Sequence, residues 1–281
     1  MIVDAHHHFW DPRTADYPWL TDELAAIRRP FGPDDLAPLL IATGVQRTVL
    51  VQTRSSTDET RAFLAIAAAT PFVAGVVGWV DLTAKDAAGT IGTLRAGPGG
   101  ERLVGIRHQV HDEADPDWLL RADVRRGIAE VGRAGLAYDL LVRPRELPSA
   151  LETVRALPGV RFVIDHLAKP AIGRGDLEPW ASRLAPFGAL ANAWCKVSGM
   201  VTEANWATWR TEDFVPFVGH AVEVFGPERL LFGSDWPVCL LAASYDQVHD
   251  LARQTFAELS ESERERVFGG NAAEVYRLGT G

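Results

Sequence analysis

Short runs of apolar residues recur along the chain, and a stretch of helical character follows almost every one. The runs are Ile2–His6, Arg47–Gln52, Val73–Val80, Leu103–His108, Leu136–Val142, Val160–His166, Ala193–Ser198 and Arg229–Asp235. They are continuously apolar rather than alternating, which is the pattern of strands covered on both faces. Helices fit between them. Asp34–Ala42 stops at Gly44, Asp123–Ala134 at Gly135, Arg145–Leu157 at Pro158-Gly159 and Asp213–Phe225 at Gly226-Pro227. Ser56 with Glu59 forms a capping-box pattern ahead of Thr60–Ala69. Tyr245–Leu259 follows the last strand. Ser260 with Glu263 opens a short helix ending at Gly269-Gly270, and Asn271 with Glu274 caps a final one.

Eight strands alternating with helices predict an α/β chain folded as a (β/α)8 TIM barrel, one domain over residues 1–281. A doubly wound open sheet would want a glycine-rich phosphate loop after an early strand, and His6-His7-His8 stands there instead. Ala62–Val80 carries no formal charge and is long enough to span a bilayer, but Pro71 divides it into a helix and a strand. Phe9–Arg29 and Ile172–Pro186 exceed ordinary connections and are expected to be loops over a pocket.

Composition narrows the function. The 281 residues include 28 Lys and Arg against 37 Asp and Glu, a net charge of −9, which argues against a nucleic-acid partner. Two cysteines, Cys195 and Cys239, make no disulfide framework and read as small buried side chains. No signal peptide is expected, and the expectation is a soluble cytoplasmic protein that acts on a small molecule, with no membrane partner. The oligomeric state is left open.

In such a barrel the C-terminal strand ends face the active site, and polar residues gather there. They are His6 and His8, Gln52, Trp79 and Asp81, Arg107, His108 and His111, Asp165 and His166 with Lys169, Lys196 and Ser198, and Ser234-Asp235-Trp236. Residues two apart on a strand share a face, so His6 and His8 can hold one divalent metal ion; the alternative is a polar strand exit with one structural histidine. Asp235 is a candidate base, metal ligand or cap, and His166 a candidate site or core histidine. Arg107 and Lys196 either bind a carbonyl or anion, or form internal salt bridges with Asp235, Asp165 or Asp4. Trp10, Trp19, Trp180, Trp206, Trp209 and Trp236 are candidate pocket walls or packing residues. Ser198 lacks a nucleophile elbow. Arg121–Arg126 and Glu261–Arg266 read as solvated helix faces.

Taken in order, Ile2-Val3-Asp4-Ala5-His6-His7-His8-Phe9-Trp10, Gly105-Ile106-Arg107-His108, Ile164-Asp165-His166-Leu167-Ala168-Lys169-Pro170, Lys196-Val197-Ser198-Gly199, Leu231-Phe232-Gly233-Ser234-Asp235-Trp236-Pro237 and Gly270-Asn271-Ala272-Ala273 resemble the amidohydrolase superfamily. The branch they resemble is the amidohydrolase-2 group, which contains L-fuconolactonases, L-rhamnonolactonases and 2-pyrone-4,6-dicarboxylate lactonases. The resemblance implies a distorted barrel that opens a small lactone, most naturally a sugar lactone. It implies Asp235 as general base on water and His166 as a proton donor. Arg107, His108, Lys196, Gln52, Trp10 and Trp236 would position substrate. His6, His8 and Asp235 would hold a single divalent ion, zinc first, or the site would work with none. Strand five supplies no histidine and strand four no lysine for carboxylation, so a binuclear centre is not expected. The alternatives are nonoxidative decarboxylation of a small acid and a non-catalytic barrel that binds a sugar acid.

Overall fold

The computed structural model describes residues 1–279; the final two residues of the expected domain lie outside the described residues. Eight parallel strands form one sheet in sequence order. They are β1 (Val3–His7), β2 (Arg47–Val51), β3 (Val73–Gly78), β4 (Leu103–His108), β5 (Ala137–Leu140), β6 (Arg161–Ile164), β7 (Ala193–Val197) and β8 (Leu230–Phe232). Around them lie α1 (Pro33–Thr43), α2 (Thr57–Ala69), α3 (Ala87–Ala96), α4 (Ala122–Arg133), α5 (Leu147–Ala156), α6 (Trp180–Leu184), α7 (Met200–Glu203), α8 (Thr211–Phe225), α9 (Tyr245–Thr255), α10 (Glu261–Glu265) and α11 (Asn271–Val275). The chain is a single-domain (β/α)8 barrel. Among the described residues no helix is long and apolar enough to cross a membrane.

Several local expectations change. Helix α3 was not anticipated, because Gly89 and Gly92 weaken its helical signal; Asp86 caps it through the Gly89 amide, and Ala87, Ile91 and Leu94 bury its inner face. Ile172–Pro186 is not an open loop. It contains a 3-10 turn and α6, and Trp180 is buried there with Nε1 donating to the Leu167 carbonyl. Ser56 caps α2, but Glu59 does not return the bond. Its carboxylate accepts from the Thr53 and Arg54 amides and the Thr53 hydroxyl, pinning the loop after β2. Asn271 donates to the Pro227 and Leu230 carbonyls instead of capping α11.

The floor of the barrel is apolar: Val3, Ala5, Val49, Val51, Val77, Ala137, Val163 and Leu231 pack on Val275 of α11 and Tyr276 just after it. Above this floor lies a polar storey, and a β-bulge in β1 sets the change. Asp4 pairs with Thr48 and His7 with Leu50, so three steps along β1 oppose two along β2. Ala5 therefore joins the floor, the next residue, His6, also faces inward, and His7 turns out to Thr48 Oγ1 at 2.8 Å.

No regular ladder joins β8 to β1. The seam is closed by the segment after β8: the Asp235 amide donates to the His6 carbonyl at 2.8 Å and the His8 amide to the Trp236 carbonyl at 2.7 Å. Beneath it the buried Asp4 carboxylate accepts from the Ser234 amide and hydroxyl and from the Tyr245 hydroxyl. Burial pushes the Asp4 carboxyl up, with the Ser234 bonds opposing.

Candidate active site

Four side chains converge at the C-terminal end of the seam. His6 Nε2 is 3.2 Å from His8 Nε2, and Asp235 Oδ1 is 3.8 Å from the first and 3.3 Å from the second. His166 Nε2 lies 3.9 Å from the same oxygen. His8 Nδ1–H donates to the Val51 carbonyl at 2.7 Å, so in the neutral ring Nε2 presents a lone pair to the centre. A backbone carbonyl holding the far nitrogen is the usual support of a metal-bound histidine. Tetrahedral ligands at ordinary zinc distances stand about 3.4 Å apart. The His6–His8–Asp235 triangle fits that spacing, and its donor set of two nitrogens and one oxygen suits such an ion.

The backbone that aims these groups is strained. Asp235 has φ of 56°, and His166, Leu167, Ala168 and Lys169 all have positive φ. Four successive left-handed residues are unfavourable outside glycine, and they throw both His166 and Lys169 toward the cleft. Gly199, also left-handed, lies against them: a Cβ there would stand 2.5 Å from His166 Nδ1 and 3.1 Å from Asp235 Oδ2. Ser198 Oγ is 2.9 Å from His166 Nδ1. Burial holds the His166 imidazole down to about 3, with Lys169 and Arg107 adding to it, so the ring is neutral. Burial raises the Asp235 carboxyl, but His166, the His8 contact and Lys169 outweigh it and the group stays ionised.

Beneath the cluster lies a buried charge layer. Arg107 Nη1 bonds Asp165 Oδ2 at 2.9 Å; Lys196 Nζ lies 3.0 Å from Asp165 Oδ1 and 2.6 Å from Asp139 Oδ2. Tyr276 donates to the same Asp139 oxygen at 2.7 Å. Burial would raise the Asp165 carboxyl, yet Lys196, His6 and Arg107 hold it well below the usual range. Burial pushes Asp139 up to about 6 despite Lys196.

A cleft of about 200 Å³ opens above, lined by His8, Trp19, Thr53, Arg107, Gln109, His111, Asp112, Leu141, His166, Lys169, Asp235 and Val238. Of the residues expected to touch substrate, Arg107 lines it. The others do not. Lys196 is fully buried and committed to Asp139 and Asp165. Gln52 is fully buried, its carbonyl accepting from Arg107 Nη2. His108 borders an adjoining groove; Trp79 Nε1 donates to its Nδ1 and Glu113 takes its Nε2. Trp10 donates to the Ile27 carbonyl and packs on Phe31 and Trp19, while Trp236 is buried against Phe9 and Phe31. Trp19 is the tryptophan that reaches the cleft; Trp206 is exposed and Trp209 is tied to the Ala242 carbonyl. Sequence reading also passed over Thr53, Gln109 and Asp112. It passed over Asp139 as well, although a carboxylate inside the apolar run of β5 signals a buried cation partner.

The chain matches the family model described as amidohydrolase over residues 3–278. It is 42% identical to an L-fucono-1,5-lactonase of Burkholderia ambifaria over 98% of this chain and 95% of that one. It is 40% identical to an L-fucono-1,5-lactonase of Burkholderia multivorans over 99% and 96%. A crystal structure of an amidohydrolase from Burkholderia multivorans with bound zinc superposes with a TM-score of 0.94 at 39% identity, covering 99% of this chain and all of that one. A family match that spans the barrel from β1 to α11 means that the chain belongs to the amidohydrolase family.

Proposed function

We propose that the protein hydrolyses the lactone of a neutral sugar acid. The observation that carries the reading is the pairing of an ionised Asp235 with the neutral His166 imidazole in a cleft whose cationic side chains are already engaged. Arg107 is held by Asp165, and Lys169 Nζ bonds Glu203 at 2.7 Å. Both cationic side chains are thus already paired with carboxylates, which favours a neutral lactone over a dicarboxylic lactone or an aromatic acid awaiting decarboxylation. Polar side chains line it instead, Gln109, Asp112 and His111 among them. Those suit the hydroxyls of a sugar ring. The two fuconolactonase relatives, matched over nearly their whole length, support the same substrate class.

In the proposed mechanism Asp235 accepts a proton from water as the water attacks the lactone carbonyl. With the Ser198 hydroxyl donating to Nδ1, His166 carries its proton on Nε2 and donates a hydrogen bond to the developing oxyanion. A neutral imidazole with its conjugate acid near 3 has no surplus proton to give. The proton taken by Asp235 is therefore the one delivered to the departing ring oxygen, which stays attached to the product. His6, His8 and Asp235 are the residues that would hold a divalent cation, zinc first by ligand type. When bound, such an ion supplies Lewis-acid polarisation of the carbonyl.

The test is a panel of neutral sugar lactones and carboxylate-bearing lactones followed by acid release with a pH indicator. Carbon dioxide release from aromatic acids is measured in parallel. Turnover is expected on neutral six-membered or five-membered sugar lactones. Turnover confined to dicarboxylic lactones, or release of carbon dioxide alone, would overturn the reading.

A further inference from the structure

Two groups make incompatible demands on one nitrogen of His6. Nδ1 lies 3.1 Å from Lys196 Nζ and 3.4 Å from Asp165 Oδ1. An ammonium only donates and a carboxylate only accepts, so the ring proton can suit one of them at a time. In the first arrangement Lys196 donates to Nδ1 and the ring proton sits on Nε2. It is then donated to His8 Nε2, 3.2 Å away, and His8 Nδ1–H runs on to the Val51 carbonyl. Every step of that chain pairs a donor with an acceptor, but Arg107 Nη1, 3.3 Å from His6 Nε2, then faces a second donor. In the second arrangement Nδ1–H donates to Asp165 Oδ1, which otherwise has only its ion pair with Lys196 and no aligned hydrogen bond. Nε2 then shows its lone pair beside His8 Nε2 and Asp235 Oδ1. Only this second arrangement presents three lone pairs to a cation.

We propose that Lys196 is a positioning residue: it holds His6 in the Nε2–H tautomer and so limits the affinity of the His6–His8–Asp235 cluster for a divalent cation. Asp165 at Nδ1 and Arg107, a donor facing Nε2, favour the opposite tautomer. The proposal rests on the metal-site reading given above. The change is a shift of one proton from Nε2 to Nδ1 of the same ring, so no proton is gained or lost. Lys196 is suited to the task because it cannot wander. It is fully buried, its ammonium is shared between Asp139 and Asp165, and it does not reach the cleft.

The test uses full-length protein stripped of metal. The tautomer of His6 is read from nitrogen-15 spectra of histidine-labelled protein, with the His6→Gln variant giving the assignment. Zinc affinity is read by competition with a fluorescent chelator at fixed pH. Lys196→Met is paired with Asp139→Asn, so that no carboxylate is stranded in the core. Wild type is expected to show Nε2–H. The double variant is expected to show Nδ1–H and to bind zinc about tenfold tighter or more, the scale on which groups supporting a metal ligand act. An Nδ1–H signal in metal-free wild type would overturn the proposal. So would unchanged affinity, and so would tighter binding with no change of tautomer, which loss of the ammonium charge alone would give. Absence of zinc uptake by either protein would overturn the metal reading beneath it. If the double variant does not fold, the wild-type spectrum decides: Nε2–H upholds the proposal and Nδ1–H ends it.

Discussion

Asp235 combines two demands, a carboxylate aimed at the imidazoles and a left-handed backbone at φ 56°. Asparagine tolerates that backbone better than most residues, so Asp235→Asn isolates the chemistry. We expect kcat/KM on the best sugar lactone to fall by about 10³-fold or more, with the melting temperature of the metal-free protein nearly unchanged. Gly199→Ala tests geometry instead. Its methyl would meet His166 at 2.5 Å, so a loss of activity is expected together with about 1–3 kcal/mol of stability, read by urea melts. These residues differ in how visible they were beforehand. His6 and His8 were legible because a strand repeats every two residues. Lys196 was legible in part: a buried bridge to Asp165 was one of its two readings, whereas its second partner, Asp139 across the barrel, carries no sequence signal that ties the two together. Trp19 and Trp236 were indistinguishable for a similar reason: both sit in connecting segments, and only packing turns one to the cleft and the other to Phe9 and Phe31.

At the scale of elements, continuous apolar runs revealed all eight strands, and terminal glycines marked where α1 and α4 stop. The bulge in β1 escaped notice because Asp4-Ala5-His6-His7 carries no glycine or proline to mark it. That bulge leaves His7 outward and buried, and burial holds its imidazole down to about 3. The unfolded chain takes up that proton near its ordinary value of about 6.5, while the folded chain refuses it. Between those limits the unfolded state binds more protons, so stability is complete above pH 6.5 and is lost as pH falls toward 3. His166 acts in the same direction. Urea melts from pH 7.5 to 4 should show this decline, and it should be shallower in His7→Gln. Glu59 offers a second element-scale test. Its three acceptor bonds hold Thr53 and Arg54 after β2, so Glu59→Ala is expected to cost about 2–4 kcal/mol and to raise KM, since Thr53 lines the cleft.

For the whole molecule, the notable fact is where the barrel closes. The first and last strands meet through Asp235, Trp236 and the Asp4 carboxylate rather than through a ladder. Replacing Asp4 by alanine leaves the Ser234 and Tyr245 donors without an acceptor, and a loss of about 3 kcal/mol is expected in thermal or urea melts. The ligand triangle spans the same seam, with His6 and His8 on one side and Asp235 on the other. A cation bound there is a reversible cross-link between the first strand and the segment after the last. It would close the long loop from His6 to Asp235, a constraint that acts chiefly by restricting the unfolded ensemble. Chelation should therefore lower the melting temperature of the entire domain, and saturating zinc should raise it with added metal as ordinary linkage requires. The order in which the barrel is made follows too. Its active site cannot exist until the last strand has arrived beside the first, so catalytic competence reports completion of the fold.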